Sequence, residues 1–134
     1  MVQKEILDKV PSDRVAVFVV WLPVLPFDSR EAAARATALV EDKRARHYWD
    51  PDHKASRAFS KMLFADSSKA NKLSKADRLA WDVYTVFPPT AAWKDSVPGA
   101  GFWMHQLGGL DPKLRLDATR LRAAVEEQLK KTAK

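Results

Sequence analysis

From Val15 to Leu22 the chain reads Val-Ala-Val-Phe-Val-Val-Trp-Leu without one polar residue. The run is far shorter than the roughly 20 apolar residues of a membrane span. It is β-branched and aromatic, and turn signals bound it: Pro11-Ser12-Asp13 before it and Pro23 after it. A strand wet on one side alternates apolar and polar positions; this one does not. The pattern predicts a strand buried on both faces, the habit of a central strand in a parallel or mixed sheet covered by helices.

A chain of 134 residues predicts a single domain spanning 1–134. Val2–Val10 is charged and amphipathic, so the sequence shows neither an apolar signal-peptide core nor a transmembrane segment, and it does not assign a compartment. Cysteine is absent, which removes disulfides, thiolate catalysis and cysteine-ligated metal. The 23 basic residues exceed the 17 acidic ones by six. The excess is interleaved with acids over most of the chain, so the expectation is a solvated, mildly basic surface and not a nucleic-acid face.

Taken in order, Val2, Ile6 and Val10 recur at helical spacing, and Pro11 ends that helix. After the apolar strand, Asp28 as N-cap and Glu31 reaching back predict a capping box for a helix to about Val40, with Ala32, Ala36, Leu39 and Val40 on its buried face. Arg44–Trp49 predicts a second strand, parallel to the first through the helical crossover, with Ala45, His47 and Trp49 on one side. Asp50 as cap, with Pro51 at the first helical position, opens a further helix that buries Ala55, Ala58, Phe59, Met62 and Leu63.

Residues 65–79 form a polar linker carrying Lys69, Lys72, Lys75 and Arg78. Leu79–Phe87 alternates as a strand with Asp82 inside it, and Ala91–Trp93 is expected to return antiparallel. Residues 94–112 are an irregular insert in which Phe102–Leu107 reads as a short helix stopped by Gly108, with an edge strand as the alternative. Asp117 then caps a last helix that docks through Leu121, Ala124, Val125 and Leu129.

The order of elements resembles the thioredoxin-like fold without its first strand, and three stretches carry the likeness. Tyr48–Phe59, with its Asp50-Pro51-Asp52, is similar to a strand–turn–helix segment of the peroxiredoxin and thiol-oxidoreductase branches. Trp81–Phe87 with Ala92-Trp93 resembles their late hairpin, and Leu116–Leu121 the start of their last helix. The resemblance implies a three-layer α/β/α domain whose mixed sheet has central parallel strands and a C-terminal hairpin plus helix. The family's chemistry, however, lies in a Cys-x-x-Cys or a single peroxidatic cysteine, and this chain has none. The family's cis-proline position falls on Leu79 or Ala80. Thiol–disulfide exchange by these residues is therefore chemically excluded.

The functional expectation is a non-redox binding or interaction domain with no catalytic residues and no cofactor, taking a small molecule or a protein. The alternative is the C-terminal portion of a thiol:disulfide oxidoreductase whose Cys-x-x-Cys segment lies upstream. The expected ligand site is Trp21 and Trp49, at the carboxyl ends of the parallel strands where open α/β sheets bind ligands, with Asp82, Trp103 and His105. His47, His53 and His105 with Asp50, Asp52 and Asp82 are the only metal-capable set, and their spacing matches no common metal site, so no metal is expected. An exposed sheet edge left by a missing strand would allow a homodimer.

Overall fold

The computed structural model describes residues 1–64 and 79–131. They form a mixed α/β arrangement with two small sheets and three α-helices. The basic run Lys69–Arg78, and nearly all of the expected 65–79 linker, lies outside the described residues.

A π-helical segment, Val2–Leu7, opens the chain, its end closed by the Asp8 amide on the Gln3 carbonyl at 2.9 Å. Strand β1 (Val17–Trp21) follows, then helix α1 (Arg30–Ala36), one 3₁₀ turn (Thr37–Leu39) and strand β2 (Ala45–Trp49). The crossover makes β1 and β2 parallel, as expected, with Val19 beside His47 and Trp21 beside Trp49. Helix α2 (Lys54–Phe64) comes next. Strands β3 (Val83–Val86) and β4 (Phe102–His105) then pair antiparallel, and α3 (Ala118–Lys131) ends the fold.

The apolar run is a strand, but it is not covered on both faces. Phe18 is 63% exposed, and its ring leans on the half-exposed Tyr48 of β2 at 6.3 Å between centroids. The other face is better covered: Val17, Val19 and Trp21 share it with Ala45, His47 and Trp49. An apolar run sets the affinity of a strand for a core; how much of it is covered depends on what the rest of the chain brings to each side.

Several local expectations change as well. The N-cap of α1 is Ser29, whose Oγ accepts from the Ala32 amide at 3.1 Å. Asp28 instead binds the preceding turn through the Val24 and Leu25 amides at 2.8 and 2.7 Å, and these donors hold its carboxyl below the usual range. Asp50 does cap α2, but three residues later than expected: it accepts from the Lys54 and Ser56 amides, so Pro51 lies in a turn and not in the helix. Leu39 is exposed, because the tighter 3₁₀ turn after Ala36 rotates it off the helix face.

The partner of β3 is not Ala91–Trp93 but Phe102–His105, so the stretch read as a helix is a strand. The ladder decides against the local signal: Tyr84 faces Met104 and Thr85 faces Trp103. The main core lies on one face of this hairpin. Ile6, Met104 and Leu121 are buried together, and Tyr84, Val86, Phe102, Leu116 and Val125 pack around them. On the opposite face the Trp103 ring meets Phe64 of α2 edge-on at 5.9 Å. No helix among the described residues is long and apolar enough to cross a membrane.

Candidate functional site

Among the described residues, a recess of about 120 Å³ lies between β1 and β3, beneath the start of α2. Its floor comes from the Phe18–Val20–Leu22 face of β1, its roof from Ala55 and Phe59, and its far wall from Trp81–Val83 and Thr85. The space arises because α2 presents Ala55 and Ser56 here, side chains too short to fill the gap above Val20.

Polar groups hold the cavity's frame. Ser56 is buried; its Oγ donates to the Ala80 carbonyl at 3.0 Å, tying α2 to the segment that leads into β3. Asp50 is also buried and accepts from the Ser56 amide at 3.0 Å, while its own amide donates to Trp21 O at 2.8 Å. One residue thus joins the ends of β1 and β2, through its amide, to the first turn of α2, through its carboxylate. His53, held in the left-handed region at φ 57°, bridges to the Pro23 carbonyl at 2.5 Å. That contact fixes the exit of β1 against the turn that leads into α2.

Asp82 is exposed and has φ 49°, the left-handed region that Asp tolerates better than branched residues do. It therefore stands ahead of β3 and not inside the strand, although the period-two pattern ran through it. Its carbonyl accepts from the Gln106 amide at 2.9 Å. Its carboxylate adds to burial in pushing the Tyr84 phenol above its ordinary value; Tyr84 also donates to Gln106 Oε1 at 2.8 Å.

Of the five expected site residues, Asp82 alone lines this cavity. Trp21 and Trp49 are register partners on the opposite face of β1–β2. There the Trp21 indole N–H donates to His47 Nδ1 at 3.1 Å, and the two rings lie stacked 6.0 Å apart. Trp103 and His105 are neighbours at 5.8 Å, on the α2 side of the hairpin. The five side chains do not gather around the cavity. Parallel pairing brings Trp21 and Trp49 together, and the two-residue period of β4 sets Trp103 beside His105, on different sheets. The sequence signal for the cavity was the Phe18–Val20–Leu22 alternation hidden inside the apolar run.

The histidines are occupied by the backbone. His105 is fully buried; the Leu107 amide donates to Nδ1 at 3.1 Å, and Nε2 therefore carries the proton that reaches Asp111 O at 3.0 Å. His47 Nδ1 accepts from Trp21, so Nε2–H donates to Val40 O at 3.0 Å. Among the described residues no three His, Asp or Glu side chains come together as a metal site would require. What the arrangement offers is a recess with two hydroxyls, Ser56 and Thr85, and one exposed carboxylate, Asp82, in its lining. No family model matches the chain, and neither a curated protein nor a solved structure matches it.

Proposed function

We propose that this chain is a non-redox binding domain of the thioredoxin-like class, and that it takes an apolar group carrying a positive charge into the β1–β3 cavity. The observation that carries this reading is the cavity's lining: Phe18, Val20, Leu22, Phe59 and Val83 around the recess, with Asp82 as the one carboxylate. A cavity of this order admits a benzene-sized group. The acidic side chain favours a cation beside that group, since an opposite charge stabilises a carboxylate's ionised form. Among the described residues β1–β2 and β3–β4 are separate sheets and not the one mixed sheet expected; what supports the class is the parallel β1–α1–β2 crossover and a hairpin that touches α2 on one face and α3 on the other. The positions expected for the class's cis-proline, Leu79 and Ala80, hold no proline, and an exposed acid, Asp82, directly precedes β3. With no cysteine in the chain, thiol chemistry is closed to it.

The test is an amide-resolved NMR titration with benzylamine, benzyl alcohol and benzoate. Saturable shifts confined to Val20, Ala55, Ser56, Val83 and Thr85, strongest for the amine and reduced by Asp82→Asn, are expected. Equal weak shifts with all three probes, or none at those amides, would refute the reading.

A further inference from the structure

We infer that the outer edge of β2 is a self-complementary surface on which a second copy of this chain docks, pairing antiparallel about His47. Strand β2 has β1 as its one partner among the described residues. The direction of its backbone groups follows from two ladder bonds: Val17 N–H donates to Arg44 O, and Asp50 N–H donates to Trp21 O. Alternate residues of a parallel strand face the same neighbour, so Arg44, Arg46, Tyr48 and Asp50 turn their amides and carbonyls toward β1. Ala45, His47 and Trp49 turn theirs away. The Ala45 amide is held by Asp42 O at 2.8 Å. Among the described residues the amides and carbonyls of His47 and Trp49, and the Ala45 carbonyl, form the open edge. Such a row is a template for another strand.

Charge and shape select the occupant and the register. Antiparallel pairing about His47 lets each His47 exchange both of its bonds with the other copy, and each Trp49 amide reaches the other copy's Ala45 carbonyl. The fact that the Ala45 amide is already held costs this register nothing but the reciprocal bond. Between these pairs Arg46 stands opposite the other copy's Tyr48, at the closely spaced positions where side chains meet. Both side chains are exposed on β2, and the guanidinium meets a phenol ring it can lie against.

The neighbouring registers fail. Pairing about Arg46 sets two guanidiniums against each other. Pairing about Tyr48 sets Ala45 against Pro51, which has no amide, and Arg46 against Asp50, whose carboxylate already holds the Lys54 and Ser56 amides. The two-fold pair also brings together the two Phe18–Tyr48 faces, which continue across the seam as one apolar strip.

The experiment is sedimentation velocity on the full chain up to about 1 mM, the weak end of measurable association. It compares wild type with Tyr48→Lys, Tyr48→Glu and the double variant Arg46→Glu with Tyr48→Lys; circular dichroism checks that each folds. A concentration-dependent dimer is expected for wild type. Tyr48→Lys, which sets two cations opposite, should raise the dissociation constant at least tenfold. Tyr48→Glu and the double variant, which set opposite charges together, should hold it within about threefold of wild type. A wild-type monomer throughout overturns the inference. So does a dimer that Tyr48→Lys leaves intact, or one lost in Tyr48→Lys and Tyr48→Glu alike and not restored in the double variant.

Discussion

Arg44 holds Asp42 at three points: Nε to Oδ1 at 2.8 Å, Nη2 to Oδ2 at 2.7 Å, and the Arg44 amide to Oδ1 at 2.9 Å. The remaining guanidinium hydrogens reach the carbonyls of Leu7, Val10 and Ser12 at 2.8, 2.6 and 3.1 Å. One side chain at the entrance to β2 thus ties off the end of the N-terminal helical segment. Nothing in the local sequence marks it, because its partners are mostly backbone carbonyls far away in the chain.

Replacing Arg44 by Met keeps the aliphatic stem and removes every one of these donors. Three carbonyls and one carboxylate lose a charged partner, and urea unfolding should show a loss of about 2–4 kcal/mol. Arg44→Lys should recover less than half of that, since an ammonium cannot match the planar fork.

The same pair sets an acid response. The Arg44 guanidinium, with its amide, holds the Asp42 carboxyl down from 3.8 to about 2. A depressed carboxylate pKa stabilises the fold above the unfolded value and ceases to do so as pH falls through the folded one. The Asp42 contribution is therefore complete above about pH 4 and disappears between pH 3.8 and about 2. Thermal midpoints of wild type and Asp42→Asn should differ at pH 6 and converge toward pH 2.

His105 is a structural histidine whose two nitrogens each serve the backbone. His105→Phe keeps the bulk but strands the Leu107 amide and the Asp111 carbonyl. A loss of about 2–3 kcal/mol in chemical denaturation is expected. Hydrogen exchange at Leu107 should accelerate more than at Met104, whose ladder bonds remain.

Asp50→Ala removes the acceptor of the Lys54 and Ser56 amides, and about 1–2 kcal/mol with it. Ser56→Ala removes the hydroxyl link to Ala80 and should cost about 1 kcal/mol. The two sites share the Ser56 backbone, so the double variant should fall short of the sum, which a double-mutant cycle in urea would show.

Tyr84 is the alkaline counterpart. Burial, with Asp82 nearby, raises its phenol above the ordinary 10. The folded state then holds that proton more tightly, so stability is intact below pH 10 and declines above it. Ultraviolet difference titration should show a tyrosine ionising above pH 10, and that step should vanish in Tyr84→Phe.

What could be read from the sequence was what depends on near neighbours. The alternation of Ala45, His47 and Trp49 against Arg46 and Tyr48 gave β2 and its faces, and Asp117 stands where it caps α3, accepting from the Arg120 amide at 2.8 Å. For Phe102–His105 the strand alternative holds over the helix, because its state comes from β3, some twenty residues upstream, while the glycines after it signal a helix stop. Asp82 was misplaced because a periodic side-chain pattern carries no mark of a left-handed backbone. The candidate site was the least legible part. Its cavity exists because Ala55 is small opposite Val20, a relation between residues that no spacing rule connects.

The N-terminal segment and α3 close on each other: Ile6 is buried with Leu121, and Arg14 reaches the carbonyl of Leu129, 115 residues away in the chain. A ribosome delivers Ile6 and Leu7 long before it delivers the helix that shelters them. During synthesis these side chains must wait in water or borrow a chaperone's surface, and the main core closes only once Leu121 and Val125 have emerged.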